Sequence, residues 1–109
     1  MNVKVIEKTH QEWEREEFPT FPAGTAVTVG KEEPGFRYWP AAQILGRATF
    51  VPLSFVEGGK LTRDYNPTEL AADAGDILEV LEIVNAWLFV RDARGDTGWI
   101  PAENVISIP

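Results

Sequence analysis

The sequence predicts an all-β protein built as two tandem small five-stranded barrels. Three observations lead there: an internal repeat, short turn-punctuated apolar runs, and the lack of any amphipathic helical period of useful length. The first half reads Ala23-Gly24-Thr25-Ala26-Val27-Thr28-Val29, then Tyr38-Trp39, Gly46 and Phe50-Val51-Pro52-Leu53-Ser54-Phe55-Val56. The second half answers with Ala74-Gly75-Asp76-Ile77-Leu78-Glu79-Val80, then Trp87-Leu88, Gly95 and Trp99-Ile100-Pro101-Ala102-Glu103-Asn104-Val105. The spacing from the first glycine to the aromatic-aliphatic-Pro tripeptide differs by two residues, which fit in the 31–37 loop. Residues 1–57 and 61–109 are therefore expected to be separate barrels, joined by a short linker at Gly58-Gly59-Lys60 that leaves little freedom.

Taken in order, residues 3–6 alternate as a strand does. Residues 10–17 are rich in helix-forming side chains but are too short and polar to hold a helix, and Phe18-Pro19 follows, so they read as a loop with at most one helical turn. Pro19-Thr20-Phe21-Pro22 is a PxxP string, read here as a strand entry with Phe21 in the core. In the second half, residues 77–83 form a β-branched run, residues 84–86 a turn, and residues 87–90 the returning strand of a hairpin. Asp92-Ala93-Arg94-Gly95-Asp96 is dense in turn residues, so its Arg-Gly-Asp tripeptide reads as a hairpin turn. Pro101 ends the strand over residues 97–100, and residues 105–107 supply the last strand.

Composition removes whole classes of function. A chain of 109 residues without cysteine has no disulfide framework, Cys-ligated zinc, iron–sulfur cluster or thiol catalysis. One His and two Ser in unrelated loops and strand ends give no nucleophile–base pair, and the adjacent pairs Glu16-Glu17 and Glu32-Glu33 cannot face one another across a substrate. The expectation is a non-enzyme with no metal and no cofactor. Seventeen acidic against ten basic side chains, net −7, set the field against nucleic acid and anionic membrane and favour basic partners. No apolar run suits a signal peptide or a membrane span, so the expected location is cytoplasmic.

These residues resemble the Src homology 3 (SH3) family. Leu61-Thr62-Arg63-Asp64-Tyr65 is similar to its opening strand, the segment from Glu69-Leu70 to Ala74-Gly75-Asp76 to its acidic loop, Trp87 to its groove tryptophan, and Gly98-Trp99-Ile100-Pro101 to its Gly-aromatic-aliphatic-Pro signature. The first half matches more weakly, and the whole resembles short bacterial proteins built from two such domains. The resemblance implies a protein–protein interaction module in which aromatic rings dock a polyproline II peptide, already extended and cheap to order. Carried over by position, Tyr65, Trp87, Trp99 and Pro101 form the groove of the second domain, with Glu69 placed to receive a peptide Arg. Arg63 and Asn104 stand where two further groove tyrosines are common, which leaves half of that groove unformed.

The first domain shows the complementary pattern. Glu7 and Thr9 replace groove tyrosines, while Trp13, Tyr38, Trp39, Phe50, Pro52 and Phe55 make a candidate second groove. Glu12, Glu14, Glu16 and Glu17 around Trp13 form either a clamp for a basic peptide or a solvated charge run, and the latter is favoured. Leu45, Leu53 and Phe55 stand against Arg94, Ala102 and Asn104, so the first domain is expected to bury a surface the second leaves wet. Two functions remain open: an intracellular adaptor binding a proline-rich or basic peptide, or a structural or regulatory subunit that packs on a folded partner or on itself without using a groove. The expected state is a monomer or weak homodimer.

Overall fold

The computed structural model describes residues 1–8, 16–31 and 39–109, so the expectations at His10, Trp13, Tyr38 and the Glu32-Glu33 pair lie outside the described residues. The described residues are all-β, with no α-helix. Ten strands follow in order: β1 (Asn2–Val5), β2 (Val27–Val29), β3 (Ala41–Ile44), β4 (Arg47–Phe50), β5 (Val56–Glu57), β6 (Lys60–Leu61), β7 (Ile77–Val84), β8 (Trp87–Arg91), β9 (Thr97–Pro101) and β10 (Val105–Ile108). They form two compact units, Met1–Glu17 with Thr68–Pro109, and Phe18–Pro67. Among the described residues no sheet closes on itself, so the expectation of two tandem five-stranded barrels is met only in its all-β class.

This division does not follow the expected 1–57 and 61–109 boundaries, and the cause is the supposed linker. Gly58 and Gly59 both take positive φ, 60° and 76°, between the paired residues Glu57 and Lys60. Two consecutive residues in that region make the tight turn that matches the twist of a β-hairpin. The chain therefore doubles back instead of crossing to a new unit. Leu61 then pairs with Val56, Lys60 bridges Ala26, and Tyr65 bridges Phe21, all within the Phe18–Pro67 unit.

The start of the chain lies inside the sheet of the discontinuous unit. That sheet runs β10-β1-β7-β8-β9, with β1 antiparallel to both neighbours: Val3 faces Ser107 on one side and Leu78 on the other. The alternation of β1 puts Val3 and Val5 inward and Asn2 and Lys4 outward. The two valines join Leu70, Ala72, Leu78, Leu88, Val90 and Ile100 in one apolar cluster. β7 is long, and its pairing slips between Val80 and Glu82, a bulge that keeps Glu82 opposite Phe89.

Gly98 sits where backbone must come close. A Cβ there would lie 2.8 Å from the Leu70 backbone nitrogen, and that nitrogen donates to the Trp99 carbonyl at 3.0 Å. Gly98→Ala is expected to lose about 1–3 kcal/mol, the usual cost of overpacking, measured as a shifted denaturant midpoint; an unshifted midpoint contradicts this close approach.

The Phe18–Pro67 unit contains the meander β2-β3-β4 and the β5-β6 hairpin. Its Pro52 leads into a 3-10 turn at Leu53–Phe55, as Pro101 leads into one at Ala102–Asn104 in the other unit. Phe21 is buried, as expected of a strand entry. Leu45 and Leu53 are exposed, and only Phe55 of that asymmetric apolar set is buried, which corrects the expectation of a buried surface there. Leu45 and Gly46 form the β3-β4 turn with φ of 52° and 81°, and a hairpin tip turns its side chain to solvent.

Candidate partner-binding face

β8 carries Trp87, Phe89 and Arg91 on one face and Leu88 and Val90 on the other, because side chains alternate along a strand. Leu88 and Val90 belong to the apolar core, so the two rings face outward. On β9, Trp99 and Pro101 share that outward face while Gly98 and Ile100 face the core, and Pro101 ends the strand at the 3-10 turn.

Register then sets the neighbours. Trp87 lies between Val84 and Pro101; Phe89 lies between Glu82 and Trp99; Arg91 lies between Glu79 and Thr97. Directly opposed residues share a face about 5 Å apart. The Phe89 and Trp99 rings touch, with centroids 5.1 Å apart and planes at 50°. Trp99 is 3% exposed, its backbone N–H donating to the Thr68 carbonyl at 3.1 Å, while Trp87, Phe89 and Pro101 are half-buried. The open part of this face is thus Trp87, Phe89 and Pro101, floored at one side by buried Trp99.

Acidic groups border the rings. Glu82 is half-buried opposite Phe89, and Glu69 is half-buried where residues 68–70 run parallel to β9 as a bridge to Trp99. One row further, the Arg91 guanidinium reaches Glu79 Oε1 at 2.6 Å and holds that carboxyl below the ordinary carboxylate range through its hydrogen bond and charge. That exposed pair occupies one end of the face, and the acidic groups Glu82 and Glu69 lie in the neighbouring Phe89–Trp99 row.

Of the five residues expected in the groove of the second domain, four, Glu69, Trp87, Trp99 and Pro101, lie in the discontinuous unit; Tyr65 lies in the Phe18–Pro67 unit. There Tyr65 is 3% exposed, its hydroxyl donates to the Phe50 carbonyl at 2.7 Å, and its ring meets Phe55 edge-on at 5.5 Å. Pro52 and Trp39 are buried as well, Phe50 is half-buried, and the Arg63 guanidinium lies 4.2 Å over the Phe55 ring. This set draws groove-like residues from both repeats, and Trp39, Pro52, Phe55 and Tyr65 among them are buried. Its polar counterpart sits in the other unit, where Asn104 Nδ2 donates to the Glu7 carbonyl at 3.3 Å.

Sequence reasoning missed Phe89 and Glu82. The signal was available in the alternation Trp87-Leu88-Phe89-Val90-Arg91, which places two aromatic rings on one face. The SH3 domain family model matches residues 64–102. Comparisons with curated proteins and with solved structures return no match.

Proposed function

We propose, from the match of residues 64–102 to the SH3 domain family model, that the protein is a protein–protein interaction module that acts by binding and not by catalysis. SH3 domains are generally non-catalytic and bind peptide partners. On this reading the Phe18–Pro67 unit is a second, divergent domain of the same kind, supported by its meander and its Pro-led 3-10 turn.

The observation that carries the reading further is the half-open aromatic row Trp87–Pro101 with Phe89 beside it, edged by Glu82 and Glu69. Flat rings offer apolar contact to a proline ridge at small entropic cost, and carboxylates beside them suit a basic flank. The partner is a proline-rich segment with a Lys or Arg next to it. Tyr65 has no part in this contact, because its ring is buried and its hydroxyl already hydrogen-bonded. A second reading, docking on a folded partner without a peptide groove, is favoured by Ile77, Leu81 and Ile83, which are exposed along β7.

Calorimetric titration with proline-rich, basic-flanked peptides tests the first reading. Trp87→Ala is expected to weaken binding about 30-fold, the loss typical of a central aromatic anchor. Equal affinity of the Trp87→Ala and parent chains, or no heat at millimolar peptide, sinks peptide recognition by this face.

A further inference from the structure

The two edges of the five-stranded sheet are treated differently. At β9 the edge is covered: the Trp99 backbone N–H donates to Thr68 and the Trp99 carbonyl accepts from Leu70. At β10 no backbone segment among the described residues plays that part.

Which groups β10 leaves open follows from its pairing with β1. Ile6 N–H donates to the Asn104 carbonyl at 2.9 Å, continuing the ladder in which Lys4 opposes Ile106 and Asn2 opposes Ile108. Hydrogen-bonded and non-hydrogen-bonded pairs alternate in an antiparallel ladder, so residues 104, 106 and 108 bond toward β1 while Val105 and Ser107 point their backbone groups away. The Val105 N–H is taken by the Ala102 carbonyl in the 3-10 turn. The Ser107 N–H, the Ser107 carbonyl and the Val105 carbonyl therefore form a donor–acceptor–acceptor edge that is open among the described residues.

We infer that β10 is a second binding site, which accepts an extended segment of another protein as an added antiparallel strand. Three features define that segment. The residue opposite Ser107 exchanges two hydrogen bonds with it, and the residue two places later donates to Val105. The residue between them lies opposite Ile106 and extends the exposed row Ile77–Lys4–Ile106, where a β-branched apolar side chain fits best and a cation would meet Lys4. Further along, the segment reaches Glu103 and Glu7, both exposed, which flank Asn104 and are in no ion pair among the described residues; a Lys or Arg belongs there. The net charge of −7 favours such a basic segment over a second copy of the chain. Lys8 lies 3.5 Å from Asp73.

The site is independent of the Trp87 face, so its test can fail or succeed alone. The probe is the proline-free peptide acetyl-Thr-Val-Thr-Ile-Thr-Lys-Arg-amide, added to the isotope-labelled full chain. Binding is expected to shift the amides of residues 105–108, to slow hydrogen exchange at the Ser107 amide about tenfold or more, and to leave the Trp87 indole unmoved. Ser107→Pro removes only the outward N–H and is tolerated where an edge strand faces solvent; it is expected to abolish these changes. If that variant does not fold, the same peptide methylated at the nitrogen facing Val105 serves as the control, and it must bind more weakly. Shifts centred on Trp87, no shift at millimolar peptide, or a concentration-dependent dimer of the free chain protected at Ser107 would each overturn the inference.

Discussion

Deleting residues 1–7 unfolds the discontinuous unit, although the whole Phe18–Pro67 unit separates them in the chain from the other strands of their sheet. β1 is an interior strand of the β10-β1-β7-β8-β9 sheet, so its loss breaks two ladders and leaves β10 without a neighbour. Val3 and Val5 leave the core with it, and each buried valine contributes about 1.5–3 kcal/mol. A unit of this size has only about 5 kcal/mol to lose, the low end for small domains. The fragment 61–109, which the repeat marks as a whole domain, is expected to show the narrow amide dispersion of an unfolded chain, and a peptide of residues 1–8 added in trans restores dispersion. The fragment 18–67 holds all the described strands of its own unit and is expected to fold alone. A folded 61–109 fragment would mean that Leu61 to Tyr65 take the place of β1 after all.

Tyr65→Ala is the second large effect, and it falls on stability, not on binding. The ring is buried against Phe55, and its truncation leaves a cavity in the Phe18–Pro67 unit costing about 3–5 kcal/mol. Tyr65→Phe keeps the packing but strips the hydrogen bond from the Phe50 carbonyl, for about 1 kcal/mol. Chemical denaturation followed by the amides of residues 18–67 measures both. If Tyr65→Ala leaves stability unchanged and instead abolishes peptide binding, Tyr65 is a ligand contact and the division of roles drawn here is wrong.

Much of this fold is legible in the amino-acid sequence. The alternation of residues 3–6, the hairpin of β7 and β8, and the two aromatic-aliphatic-Pro tripeptides rest on local rules of period and turn chemistry, and all of them are present in the folded chain. Partner choice between strands is not legible, because two segments, residues 2–5 and 61–65, both read as opening strands and no local rule ranks them. A two-residue glycine turn decides it: Gly58-Gly59 reads equally as a linker or as a hairpin, and as a hairpin it carries Tyr65 into the other unit. The complementary gaps then make physical sense. Tyr65 meets Phe55 and the Phe50 carbonyl in one unit, while Asn104 meets the Glu7 carbonyl in the other, so the aromatic and polar halves are each complete once the strands are paired.

On the proposed function, Trp87, Phe89 and Pro101 form the ligand-facing aromatic row and Tyr65 does not. Chemical-shift titration of the full chain, labelled in its indole and phenol rings and exposed to proline-rich, basic-flanked peptides, reads both sites in one experiment. A saturable shift of the Trp87 indole with the Tyr65 ring unmoved is the expected result. Movement of the Tyr65 ring with Trp87 still would contradict it.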